Sequence, residues 1–293
     1  MKKLAKNMIV TILGWQVRRL QAKRKFTTIA VVGSIGKTST KFAIANVLKQ
    51  NKVVRYQAGN YNDIVSVPLI FFGQKMPSLL NPFGWLRVII KNEQVIKKPY
   101  HYDIVVAELG TDAPGQIKDF ERYLHVDIAV VTAIAPEHMQ NFKDLDAVAT
   151  EEFSVSSYTD TLLVNADLCD KKYWKHIADK VQTYGQSDGD DFEIQKSKLT
   201  KVGTNFTLKS SKDFQNFSMD AFGIGEVYSA TAAAAIAMLH GFNSSLVKTG
   251  VAALKPVSGR MVRLNGIKNS LILDDTYNAS PTAVIAALEM LYA

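Results

Sequence analysis

The chain has 293 residues, 47% hydrophobic and 21% charged, which is enough to bury a core larger than one average domain and excludes a disordered or low-complexity chain. A single cysteine, Cys169, excludes a disulfide framework and a multi-cysteine zinc site, and no apolar run reaches the length of a membrane span. The net charge of +8 sits entirely in residues 1–25, which hold eight basic residues and no acid. The balanced remainder argues against a nucleic-acid partner.

The first predicted element is the segment around Met8–Val17 (MIVTILGWQV), apolar and flanked by basic residues. Its charged start and apolar middle are those of a secretory signal. Arg18, Arg19 and Lys23 to Lys25 follow where a small-residue cleavage site would stand. Residues 1–27 are therefore expected to form a basic leader helix running into the first strand, or an interfacial helix making weak peripheral contact with anionic lipid. Both readings put the body in the cytoplasm.

Thr28–Val32 is a short β-branched run, the mark of a buried strand, and a helix is expected over Lys41–Lys49. The runs DIVVAE (103–108), DIAVVT (127–132) and TLLVN (161–165) repeat the strand pattern between helical stretches. This alternation predicts a three-layer α/β domain with a mostly parallel sheet. Residues 191–218 alternate in polarity and read as antiparallel strands near an edge. Glu226–His240 is alanine-rich and helical, and no chemistry is assigned to it.

Between the first strand and its helix lies Gly33-Ser34-Ile35-Gly36-Lys37-Thr38-Ser39. Glycines let such a loop curl its N–H groups onto phosphate oxygens, and the helix N-terminus adds a positive dipole end. Lys37 would reach the β- and γ-phosphates and the Thr38 hydroxyl would bind Mg²⁺. Val31 stands where the full pattern asks for a first glycine. Glu108 closes the predicted strand DIVVAE and His138 follows DIAVVT, at the sheet end where open α/β folds bind ligands, and both are candidate metal ligands.

The chain resembles the Mur ligase superfamily, and within it the MurF type. The match is carried by VVGSIGKTSTK (31–41), GNYNDIVSVPL (59–69), AELGTDAPGQI (107–117), VTAIAPEHMQNF (131–142), LLVNAD (162–167), PVSGRM (256–261) and LILDDTYNASP (271–281), in the family's order. The resemblance implies an ATP- and Mg²⁺-dependent ligase that forms an acyl phosphate, then an amide. Its substrates would be a UDP-linked muramoyl peptide and a D-amino-acid dipeptide. By resemblance, Thr38 and Glu108 hold one Mg²⁺ and His138 helps hold a second. Asn60 and Asn62 lie on the substrate side, and Arg260, Asp275 and Asn278 contact the nucleotide. Rival readings are another ligase of the superfamily, of folylpolyglutamate or cyanophycin type, and a non-catalytic nucleotide-binding scaffold.

Three departures from the family pattern stand out. Glu152 occupies the position of the family's carbamylated lysine and is expected to act as a catalytic and metal-side anion without needing CO₂. The family's N-terminal uridine-binding domain has no counterpart ahead of the first strand. Residues 28–264 match the central ATP-binding domain, and 265–293 only the start of the C-terminal one. From this the chain is expected to be an inactive fragment.

Overall fold

The computed structural model describes residues 2–200, 203–210, 213–277 and 281–292. In chain order its elements are α1 (Lys2–Lys23), β1 (Thr27–Val32), α2 (Lys37–Leu48), β2 (Val54–Arg55), α3 (Val67–Phe72), α4 (Pro82–Lys97), β3 (Ile104–Glu108) and α5 (Gln116–Asp119). Then come β4 (Val126–Val131), α6 (Leu145–Phe153), β5 (Thr159–Asn165), β6 (Val181–Gly185), β7 (Phe192–Thr200), β8 (Gly203–Ser210) and β9 (Asp213–Met219). The last are α7 (Ile224–Leu239), α8 (Ser244–Ala252), β10 (Val262–Asn265), β11 (Leu271–Asp274) and α9 (Pro281–Tyr292).

One nine-stranded sheet carries the body, in the order β2-β3-β1-β4-β5-β6-β7-β8-β9. Pairing is parallel from β2 through β7 and antiparallel between β7, β8 and β9. This is the expected three-layer α/β fold with an antiparallel edge. Two cores cover the sheet's faces, and β1 shows why. Ile29 and Val31 point into a cluster with Ile44 and Leu48 of α2 and the alanines of α7. Ala30 and Val32 point the other way, among Val17 and Leu20 of α1, Phe71 and Phe120. A strand buried on both faces must read as a near-continuous apolar run, and Ile29 to Val32 does.

The small residues of α7 let it lie close against α2, where the hydroxyls of Thr40 and Ser229 meet at 3.2 Å. Helix α1 is part of the body. Ile9, Leu13, Val17 and Leu20 are buried, and Ile9 and Leu13 share a third cluster with Val65, Leu69, Trp85 and Val88. Beyond the body, β10 and β11 form an antiparallel hairpin outside the main sheet. The expected boundary after residue 264 cuts β10, so the hairpin as a unit begins at Val262.

Candidate functional site

Parallel pairing brings the carboxyl ends of β1, β3 and β4 together. Val31 lies beside both Glu108 and Val130 in register, so the loop after β1, the acid ending β3 and the segment after β4 converge. The loop turns sharply at Gly33, with φ 119°. A Cβ there would lie 2.9 Å from the Ala133 backbone, so only glycine fits. Gly36, with φ 84°, caps α2 in the left-handed region. The segment after β4 holds the loop from one side. The Ser34 N–H donates to the Ala133 carbonyl at 2.8 Å, and the Thr132 hydroxyl donates to the Ile35 carbonyl at 2.6 Å.

A cleft of about 470 Å³ opens here. Its walls include Ser34 to Thr38, Asn62, Glu108, Asp112, Glu137, His138, Arg260, Asp275 and Tyr277. The Thr38 hydroxyl donates to Glu108 Oε2 at 3.1 Å, and Lys41 Nζ lies 3.0 Å from the same oxygen in a buried ion pair. Arg260 Nη2 reaches Thr38 Oγ1 at 3.4 Å, and its guanidinium lies 4.3 Å from the Tyr277 ring centre. The Lys37 ammonium donates to the Gly33 carbonyl and sits 3.4 Å from Glu137 Oε2. His138, at φ 51°, holds a backbone conformation uncommon outside glycine. Its Nε2 is 3.4 Å from Asp112 and 3.5 Å from Glu137.

The expected residues are thus partly brought together. The loop, Glu108, His138, Arg260, Asp275 and Asn62 share one cleft. Asn60 accepts the Tyr277 hydroxyl at 2.9 Å at the margin, and Asp275 accepts the Met261 N–H at 3.2 Å. Asn278 lies outside the described residues. Glu152 is not among the residues that line the cleft. It is buried under the loop, with Oε2 accepting the Gly33 N–H at 2.8 Å. Burial pushes its carboxyl up to about 7, against the pull of Lys37 and of the Gly33 N–H.

Four further side chains in or beside the cleft escaped the sequence reading. Lys41 is one helical turn beyond Lys37, a spacing that puts both on one side of α2. Glu137 is the immediate neighbour of His138. Asp112 needed the fold to approach that histidine. Glu226, in the first turn of the alanine-rich α7, accepts the Ser39 hydroxyl at 3.1 Å. Burial raises its carboxyl to about 7, opposed by Ser39 and Arg260 and reinforced by Asp275. Nothing local distinguishes it from an ordinary helix-start acid.

The donor chemistry fits a hard divalent cation. Thr38 and Glu108 offer oxygen atoms side by side at the start of α2, the type of ligand Mg²⁺ prefers. Their separation also lets the two groups satisfy each other through a hydrogen bond.

Residues 31–237 match the model of the Mur ligase middle domain. The chain is 29% identical over 269 residues to the UDP-N-acetylmuramoyl-tripeptide–D-alanyl-D-alanine ligase of Escherichia coli K12, covering 90% of this chain and 54% of that protein. Among solved structures, MurF from Acinetobacter baumannii superposes with a TM-score of 0.79 at 21% identity, over 96% of this chain and 57% of that one. MurF ligase from Thermotoga maritima, in complex with ADP, gives 0.77 at 22% identity, over 97% and 61%. The chain spans about half the length of the curated relatives it matches.

Proposed function

Because the chain belongs to the Mur ligase middle domain family, we propose that it carries the nucleotide-binding part of an ADP-forming amide-bond ligase in peptidoglycan precursor synthesis. The acceptor is a UDP-N-acetylmuramoyl-tripeptide and the amine is D-alanyl-D-alanine. A substrate carboxylate oxygen attacks the γ-phosphorus of ATP as the bond to the β–γ bridging oxygen breaks, giving an acyl phosphate and ADP. The dipeptide amine then adds to the acyl carbon, and phosphate departs as the amide forms. Its need for ATP as the phosphoryl donor places the proposed reaction in the cytoplasm. The basic N-terminal segment adds a weak peripheral contact with membrane.

The observation that carries this reading is the Thr38–Glu108 pair at the start of α2, with Lys37 and Arg260 beside it and His138 lining the same cleft. Thr38 and Glu108 would hold Mg²⁺, with His138 helping to hold a second ion. Such ions, when bound, neutralise charge on the phosphate oxygens. Lys37 and the loop N–H groups would orient the nucleotide. Arg260 and Asp275, with Asn278, would face it from the hairpin side. Asn60 and Asn62 would face the acceptor. Glu152 acts from beneath the loop, as the anion that fixes Gly33 and faces Lys37.

The test is phosphate release from ATP with each acceptor class, measured on the full-length ligase, because the chain spans about half the length of its curated relatives. Release that requires both the UDP-linked tripeptide and D-alanyl-D-alanine is expected. Release with a folate or cyanophycin-type acceptor would assign another ligase class. Nucleotide binding without turnover on any acceptor would favour the scaffold.

A further inference from the structure

The inner faces of α1 and α4 pack against each other and the body. Gln16 donates to the Ile89 carbonyl at 3.0 Å and to Glu93 at 2.9 Å, and accepts from buried Asn92 at 2.8 Å. Arg19 meets Glu93 at 2.8 Å. Trp85, Val88 and Ile96 are buried on the same side of α4. The outer faces should then be polar, and they are not. On α4 Phe83 is 82% exposed, Leu86 54% and Ile90 50%; Leu80, just ahead of the helix, is 71% exposed and Trp15 of α1 is 55%. A helix needs one apolar stripe to dock on its protein, and α4 has a second facing outward.

We propose that this two-helix face, built from α1 and residues 74–98, docks on an anionic lipid surface. The charge around it supplies the complement. Residues 5–25 hold six basic side chains (Lys6, Arg18, Arg19, Lys23, Arg24, Lys25) and no acid, and residues 74–98 hold five (Lys75, Arg87, Lys91, Lys97, Lys98) and one acid. That acid is Glu93, already bonded to Arg19 and Gln16. Exposed aromatic and aliphatic side chains among lysines and arginines are what an interfacial element presents to headgroups and acyl chains. Protein interfaces, by contrast, are depleted in lysine. The inference rests on the membrane contact proposed for the N-terminal segment and extends it to a second, unexpected element, α4. It stands apart from the ligase chemistry. The Tyr61 hydroxyl accepts the Met76 N–H at 3.1 Å, one residue from Asn62 in the cleft wall, so the docked face adjoins the acceptor side of the cleft.

The experiment is flotation of the full chain with phosphatidylcholine vesicles, with and without about 30 mol% phosphatidylglycerol, at low and high salt. Trp85 and Trp174 are buried, so Trp15 reports contact through quenching by brominated acyl chains. Partition at least about tenfold stronger to the anionic vesicles is expected, weakened by salt and accompanied by quenching. Phe83→Ser with Leu86→Ser, and separately Arg87→Glu with Lys91→Glu, should each lower it at least about fivefold. All four side chains are exposed, so the unfolding midpoint and ATP affinity should stay unchanged. Absence of partition overturns the proposal. Loss with Lys6→Glu and Arg18→Glu, but none with the α4 variants, would confine the contact to α1 and overturn the two-helix surface. Self-association that shields Trp15 without lipid would assign the face to a second copy and overturn it as well.

Discussion

The peptide N–H of Gly33 donates to the buried carboxylate of Glu152 at 2.8 Å, joining the first glycine of the phosphate loop to α6 across 119 residues of sequence. Gly33 sits where the chain leaves β1, so this bond fixes the loop's exit angle. Glutamine at 152 keeps an acceptor oxygen for Gly33, whereas alanine leaves a buried N–H unpaired, costing about 1–3 kcal/mol. If Glu152 positions the loop, Glu152→Gln should bind Mg²⁺–ATP within about threefold of wild type and Glu152→Ala at least about tenfold worse. Equal, large losses in both, with the Mg²⁺ dependence shifted, would make Glu152 a metal-side anion instead. Calorimetric titration of ATP at several Mg²⁺ concentrations separates the two.

The same carboxyl sets a pH dependence of stability. Burial raises Glu152 from an ordinary carboxylate value to about 7, so the folded state holds its proton more tightly than the unfolded chain. Stability therefore falls as pH rises from about 4.5 to about 7 and stays reduced above that range. Glu226 has the same sign and window. Glu152→Gln removes one of these contributions. It should gain on wild type between pH 5 and 8 by up to about 3 kcal/mol, measured by denaturant unfolding without nucleotide or Mg²⁺. A difference between the two proteins that is constant with pH would refute the assignment.

Among the described residues, Lys37 hydrogen-bonds to the Gly33 and Ser34 carbonyls and to Glu137. Lys37→Ala should lower ATP affinity at least about tenfold, roughly 1.4 kcal/mol, and leave the unfolding midpoint close to wild type. Affinity within about threefold of wild type would mean that the loop does not cradle phosphate.

Much of the site was legible because β-strands report their own ends. IAVV and IVVAE are apolar runs buried on both faces, and the loop glycines and Glu108 are where those runs stop. Residues at the carboxyl end of a parallel strand are placed by the sheet itself. Lys41 and Glu226 were not legible as partners, since their roles arise from packing of α2 against β3 and α7. The depth of Glu152 was hidden for a similar reason. LDAVATEEF reads as an ordinary helix with paired acids, yet Glu151 caps the turn at Gly115 and Ile117 while Glu152 reaches under the loop. Helix α1 misled most, because its basic residues suggested a leader or interfacial helix and drew attention from its role in the core. Its apolar positions 9, 13, 17 and 20 follow the helical period that marks a docked face.

The Lys41–Glu108 pair lies in the protein interior, and removing one partner leaves the other charge without compensation. Lys41→Met should cost about 3–5 kcal/mol by denaturant unfolding. Lys41→Met with Glu108→Gln should recover part of that loss, since no buried charge is then stranded, but should lose Mg²⁺-dependent nucleotide binding. A single variant as stable as wild type would show that Glu108 finds its compensation elsewhere.

The final prediction concerns α1 as a structural element. Leu13, Val17 and Leu20 are fully buried, and Gln16 is a buried polar group bonded to Asn92, Glu93 and the Ile89 carbonyl. Gly14 packs so closely on Tyr123 that a Cβ there would lie 2.9 Å from the tyrosine's own. A chain starting at Phe26 would expose the faces of α3 and α4 that these residues cover and strand buried Asn92. It should fail to fold, or unfold at a much lower denaturant concentration, with the loss reaching the phosphate loop through the core shared with β1. Leu13→Ala gives a graded version, with an expected cost of about 2–5 kcal/mol, and Gly14→Val should clash with Tyr123. Cooperative unfolding of the truncated chain at the wild-type midpoint, with ATP affinity intact, would show instead that α1 is a dispensable leader.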